Sequence, residues 1–139
     1  MFEELKKKEV FVDSKDVTDY RQKQGYVYIL LNFNEHVKIG ITKNPYQRVK
    51  SLSGSNTGGS EIIRYYFSDP MYIYETIEKV MHNKFKKYRI AGEWFYGKDL
   101  YYEDVIEELE SLCNSNSFKT ANEARRRFYE KDLKLINAV

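Results

Sequence analysis

Tyr26-Val27-Tyr28-Ile29-Leu30-Leu31-Asn32-Phe33-Asn34-Glu35-His36-Val37-Lys38-Ile39-Gly40-Ile41-Thr42 is the stretch on which the fold turns. Residues 26–31 form a run rich in β-branched and aromatic side chains, Asn32 to Glu35 are turn formers, and Val37 to Thr42 alternate in character. Two strands around a short polar turn make a hairpin. In its second arm Val37, Ile39 and Ile41 face one way and Lys38, Gly40 and Thr42 the other. One face is apolar; the other is polar and carries a glycine, which predicts room for a ligand.

Outward from the hairpin, Asn44-Pro45-Tyr46-Gln47 joins an N-cap residue to proline at the first helical position and glutamine at the third, a capping-box arrangement that predicts a helix to about Ser53. Ser53 to Ser60 is a loop by composition, and Ile62 to Phe67 reads as a third strand. Asp69-Pro70 predicts the start of another helix, with Ile73, Ile77, Val80, Met81 and Phe85 on one face and Glu75, Glu78 and His82 on a neighbouring stripe. Gly92-Glu93-Trp94-Phe95-Tyr96 predicts a short strand closing the sheet. A further helix has Val105, Ile106, Leu109, Leu112 and Cys113 on its apolar face and is otherwise acidic, with Glu103, Asp104, Glu107, Glu108 and Glu110. Asn114 to Ser117 breaks it. Thr120 and Glu123 predict a capping box for a last helix bearing Arg125, Arg126 and Arg127, with Phe128, Leu135 and Ile136 on its apolar side. On the other side of the hairpin, residues 1–24 read as a charged arm with a possible helix from Ser14 to Gln24. The expected organisation is an arm over 1–24, a core domain over 25–96 and a helical extension over 97–139.

Composition bounds the function. With 139 residues, 42% hydrophobic and 32% charged, the chain is too apolar for disorder and too polar for a membrane protein, and no stretch approaches the roughly 20 apolar residues of a span. The N-terminus lacks an apolar signal core, which predicts a cytoplasmic address. A single cysteine, Cys113, excludes an internal disulfide. Net charge is only +2, so an anionic partner must be met through local clusters.

One such cluster stands out. From Lys38 to Ser60 there are four basic residues, Lys38, Lys43, Arg48 and Lys50, and no acidic ones. Fixed cations beside a helix N-terminus favour phosphate. Glu78 supplies a carboxylate that could hold Mg²⁺, which takes one or two carboxylates alongside phosphate oxygens. Phosphate, metal and phenol together suggest phosphodiester hydrolysis. The same residues admit plainer readings: solvated lysines, a core Tyr28, an exposed Glu78 paired with His82, a structural His82, and an arginine face that is solvated or packed near the acidic helix.

Val27-Tyr28-Ile29, then Lys38-Ile39-Gly40, then Arg48, then Glu78 on a downstream helix, resembles the GIY-YIG nuclease superfamily over roughly residues 25–96. The closest likeness is to its phage-derived branch, in which Lys-Ile-Gly-Ile-Thr is followed by a Glu-x-x-x-His-x-x-Phe helix and Gly-Glu-Trp-Phe. These stand here as Lys38 to Thr42, Glu78 to Phe85 and Gly92 to Phe95. The resemblance implies an α/β domain of the α+β kind, with a central antiparallel sheet of about three strands flanked by helices and two helices appended at the C-terminus. It implies that Tyr28 is the general base or positions the attacking water, that Arg48 holds the scissile phosphate, and that Glu78 is the sole protein ligand of Mg²⁺ or Mn²⁺. His82 of the same motif joins the catalytic set. Lys38 stands where most members carry the second-motif tyrosine; it would lower the pKa of Tyr28 or contact phosphate. Lys43, Lys50, Lys86, Lys87, Arg89, Arg125, Arg126 and Arg127 are the expected DNA contacts. The expected function is a single-metal endonuclease acting on DNA, from a phage or mobile-element setting and with no membrane partner. The alternatives are a catalytically weak DNA-binding module that keeps the fold, and an interaction protein.

Overall fold

The hairpin forms where its alternation places it. In the computed structural model, which describes residues 23–54, 61–96 and 100–137, β1 (Tyr26–Asn32) pairs antiparallel with β2 (His36–Thr42), setting Tyr28 opposite Gly40 and Leu30 opposite Lys38. Asn32 closes the turn. Its buried side-chain oxygen accepts a hydrogen bond from the His36 N–H at 2.8 Å, and Glu35 takes a left-handed φ of 64°. That conformation is uncommon outside glycine and belongs to tight turns.

Three more strands extend the sheet. β3 (Ile62–Phe67) pairs with the outer side of β1, β4 (Arg89–Ala91) forms the opposite edge, and β5 (Trp94–Tyr96) joins β4 to β2, giving the antiparallel order β3-β1-β2-β5-β4. The sheet has five strands where the resemblance implied about three and the residue reading four. The unforeseen edge, β4, has three exposed residues and an irregular register, so it lacks the half-buried alternation by which a strand is read from sequence.

Helix α1 (Pro45–Gly54) starts at the predicted cap: the Gln47 N–H donates to Asn44 Oδ1 at 3.0 Å. The reciprocal arm of the box differs, because the Asn44 N–H donates to Thr42 Oγ1 at 3.1 Å. The next helix, α2 (Tyr74–Lys84), begins later than Asp69-Pro70 suggested. Ile73, Ile77 and Met81 are buried as expected and Phe85 packs against them, while Val80 is 39% exposed. A 3-10 turn (Lys86–Tyr88) leads into β4.

Helices α3 (Tyr102–Asn114) and α4 (Asn116–Asn137) are separated by Ser115 alone, not by four residues. Ser115 Oγ accepts from the Phe118 N–H at 3.2 Å, which caps α4 and leaves Thr120 and Glu123 inside the helix instead of at its start. Phe128, expected on the apolar side, is 62% exposed. The side chains of Leu135 and Ile136, most of the 1–24 arm with its expected helix, and residues 55–60 lie outside the described residues.

The sheet is covered on both faces, which explains the unbroken apolar run Val27 to Leu30. On one face Val27, Ile29, Val37 and Ile39 meet Ile77 and Met81 of α2, Phe95, and Val105 and Leu109 of α3. On the other, Tyr26, Tyr28 and Leu30 meet Val49 and Leu52 of α1 and Phe67. Each such side chain stabilises by about 1.5–3 kcal/mol on full burial. Leu100, Tyr102, Val105 and Leu109 share the first cluster, so the division at residue 96 follows motifs while the packing continues through α3. No helix among the described residues is long and apolar enough to cross a membrane.

Candidate active site

Register brings Tyr28 and Gly40 face to face. A Cβ on Gly40 would lie 2.4 Å from both Cζ and Oη of Tyr28, so this position admits only glycine beside that ring. The room expected there for a ligand is taken by the phenol, which is 0% exposed and tilts against Phe67 with ring centroids 5.7 Å apart. Its oxygen accepts from Arg48 Nε at 3.1 Å. Arg48 stands in the first turn of α1, delivered by the Asn44 cap. Using Nε for the phenol leaves both terminal guanidinium nitrogens as donors, in a fork that matches phosphate.

Burial pushes the Tyr28 phenol above its ordinary value; the hydrogen bond and charge of Arg48 work against this, and the Glu93 and Glu78 carboxylates add to it. Arg48 is the cation that lowers the Tyr28 pKa, while Lys38 pairs with Glu93.

Lys38, 7% exposed, sets Nζ 3.7 Å from Glu93 Oε2 and 5.5 Å from the centroid of the Trp94 ring. Its pKa is lowered by burial first; Glu93 opposes this and Arg48 adds to it. Glu93 lies in the turn between β4 and β5, its carbonyl accepting from the Ile39 N–H at 3.1 Å. The carboxyl of Glu78, on α2, is raised mainly by burial and next by the Glu93 carboxylate, with His82 pulling the other way. The Glu78 carboxyl hydrogen-bonds Glu93, and among the described residues its buried Oε2 has no hydrogen-bond partner. A buried carboxylate oxygen without a donor, beside a second carboxylate, is short of a positive charge. The pair fits a divalent cation, which Mg²⁺ chemistry satisfies with one or two carboxylates. Among the described residues no group of three or more His, Cys, Asp or Glu side chains does so.

His82 Nε2 lies 2.8 Å from the Ile39 carbonyl, to which it donates, and the ring stands edge-on to Phe95 at 5.2 Å. It ties α2 to β2 one turn beyond Glu78. Glu93 is the member that sequence reasoning missed, having read it only as a letter of a motif. The available signal was a carboxylate inside the short stretch Gly92–Tyr96 expected to close the sheet.

The remaining basic residues divide. Lys50 is exposed on α1. Lys86 and Lys87 are exposed beyond α2, with Lys87 Nζ 4.9 Å over the Tyr88 ring, and Arg89 Nε donates to the Gly92 carbonyl at 2.8 Å. Arg126 pairs with Glu123 at 2.6 Å and Glu130 at 3.7 Å, and Arg127 with Glu123 at 3.5 Å. These partners belong to α4 itself and not to the acidic helix α3, whose Glu103 pairs with Arg64 and Glu108 with Lys84. Arg125 turns away from them into a cleft that also contains Lys43.

Residues 25–114 match the T5orf172 domain, and the chain belongs to that family. The domain is phage-associated and related to the GIY-YIG/HNH nuclease-like fold, which ties the chain to nuclease-like, DNA-related work. Neither the curated proteins nor the solved structures contain a significant match.

Proposed function

We propose that this T5orf172 domain is a metal-dependent endonuclease that hydrolyses DNA phosphodiester bonds with one divalent cation, Mg²⁺ or Mn²⁺, held by Glu78 and flanked by Glu93. The observation that carries this reading is the buried, partnerless oxygen of Glu78 beside a Tyr28-anchored arginine. Arg48 binds the scissile phosphate through its two terminal nitrogens and stabilises the charge that grows on it. Lys38 adds a second positive charge, oriented by Glu93 and Trp94. Tyr28 acts by positioning: its oxygen accepts from Arg48 Nε, and burial pushes the phenol above its ordinary value, which favours the protonated form. It holds the Arg48 fork in place. His82 positions Glu78 by pinning α2 to the sheet. When bound, the cation supplies charge neutralisation at the phosphate and the leaving 3′ oxygen. The phage association of the family supports a phage or mobile-element setting, and cytoplasmic DNA as substrate.

A second reading, a DNA-binding module without cleavage, draws on the buried Lys38–Glu93 pair occupying the place of a second phenol. One assay separates the two. Plasmid, linear duplex, single-stranded DNA and RNA are incubated with Mg²⁺, with and without chelator. Cleavage that chelator stops and that Glu78→Gln abolishes, at equal or tighter DNA affinity, supports the nuclease. Binding without cleavage selects the second reading, and full cleavage by Glu78→Gln overturns the metal assignment.

A further inference from the structure

Four cations from four separate segments converge on one cleft. Lys23 precedes β1, Lys43 follows β2, Lys79 lies on α2 and Arg125 on α4; together they line a cleft of about 320 Å³. All four are exposed. Among the described residues none of them forms an ion pair or a hydrogen bond, and the one ring contact is Lys23 Nζ at 6.0 Å from the Tyr129 centroid. The single carboxylate lining the cleft, Glu75, is engaged by the Tyr74 phenol, whose pKa it helps push up to about 12 after burial. Four positive charges against one carboxylate among the described lining residues leave the cleft with a net positive charge, so their convergence favours an anionic occupant.

We propose that this cleft is a second phosphate-binding surface, which grips the sugar–phosphate backbone of DNA beside the reaction centre. The inference rests on DNA being the substrate. Its position favours backbone phosphate over a free anion: Glu75 lies three residues before Glu78 on α2, under one helical turn of 5.4 Å, and its charge acts on the Glu78 carboxyl, so the cleft adjoins Glu78. Exposed side chains drawn from four segments suit an extended polyanion better than a small enclosed one. Of the arginine triplet, only Arg125 is free for this, because Arg126 and Arg127 are committed to Glu123 and Glu130.

The test measures the affinity of the full-length chain for a labelled duplex across a salt series, in chelator so that cleavage does not intervene. Each phosphate contact on duplex DNA contributes about 0.9 to the slope of log affinity against log salt, so Lys79→Gln with Arg125→Gln flattens the slope by about 1–2 units. Each single variant flattens it by about 1, which serves if the double variant folds poorly. Lys119→Gln with Lys131→Gln removes the same charge from other sides of α4 and leaves the slope unchanged. An unchanged slope in the cleft variants, or equal flattening in the control, overturns the grip and leaves the nuclease reading standing. A wild-type chain that binds no DNA at low salt overturns both. Saturable binding of inorganic phosphate that the double variant loses, with an unchanged DNA slope, makes the cleft a small-anion site and also overturns the proposal.

Discussion

Gly40→Ala probes the contact on which the whole site rests. The added Cβ would stand 2.4 Å from Tyr28 Cζ and Oη, whereas ordinary contact begins near 3.4 Å, so the ring or the strand must give by about 1 Å. The ring has little freedom to do so: it is fully buried, packed against Phe67, and tied to Arg48. Inserting a methyl into a filled core costs about 1–3 kcal/mol. At roughly 4 °C per kcal/mol for a chain of this size, Tm falls by about 4–12 °C. Whatever moves Tyr28 also moves Arg48, and a displacement of about 1 Å at a phosphate-binding group costs on the order of 10²-fold in rate. Thermal unfolding and cleavage at saturating DNA, below the variant's Tm, read the two effects separately. In a Tyr28→Leu background the penalty of Gly40→Ala on Tm shrinks, because the obstructing ring is gone. A Gly40→Ala variant with wild-type Tm and wild-type rate would refute the account of this glycine and of the Tyr28–Arg48 pair.

Three further outcomes follow from the same geometry. Tyr28→Phe removes the acceptor of Arg48 Nε, a hydrogen bond to a charged group worth about 1.5–3 kcal/mol, so cleavage slows by roughly 10- to 10²-fold with the shape of its pH profile intact; a displaced or lost ascending limb would reinstate Tyr28 as the base. Glu78 titrates above its ordinary value in the folded chain, so its contribution to stability is full below the ordinary carboxylate value and is lost as pH rises through the raised one. In metal-free buffer, Tm of Glu78→Gln therefore matches wild type at low pH and exceeds it above that window, and parallel Tm curves would contradict the buried-carboxylate argument. Lys38→Met leaves the pH profile of cleavage unchanged, since Arg48 is the cation that lowers the Tyr28 pKa and Lys38 pairs with Glu93, while weakening DNA binding and flattening the salt slope by about 0.9; a shifted profile would return pKa tuning to Lys38.

Elements whose cause is local were legible in the chain. Alternation at Val37, Ile39 and Ile41 specifies a strand and its buried face, Asn44 caps α1 through a neighbour three residues on, and the spacing of Ile73, Ile77 and Met81 or of Val105 and Leu109 specifies a helical stripe. Tyr28, Arg48 and Glu78 were likewise legible as candidates, because order and spacing carry that resemblance. Tertiary structure alone decided what these groups meet. Glu93 faces Glu78 and Lys38 because β5 pairs with β2 in a register that sets Trp94 opposite Lys38. Gly40 proved to be space for Tyr28, since antiparallel pairing puts the two opposite. Arg125 parts from Arg126 and Arg127 because each step of about 100° along α4 sends neighbouring residues to different surroundings, and the docking of α4 decides which of them meets the cleft. A residue's nearest neighbours in sequence determine its backbone conformation and its face. Its charge partners lie across strand pairings and helix dockings separated by many residues, and those distances exist only once the chain has packed.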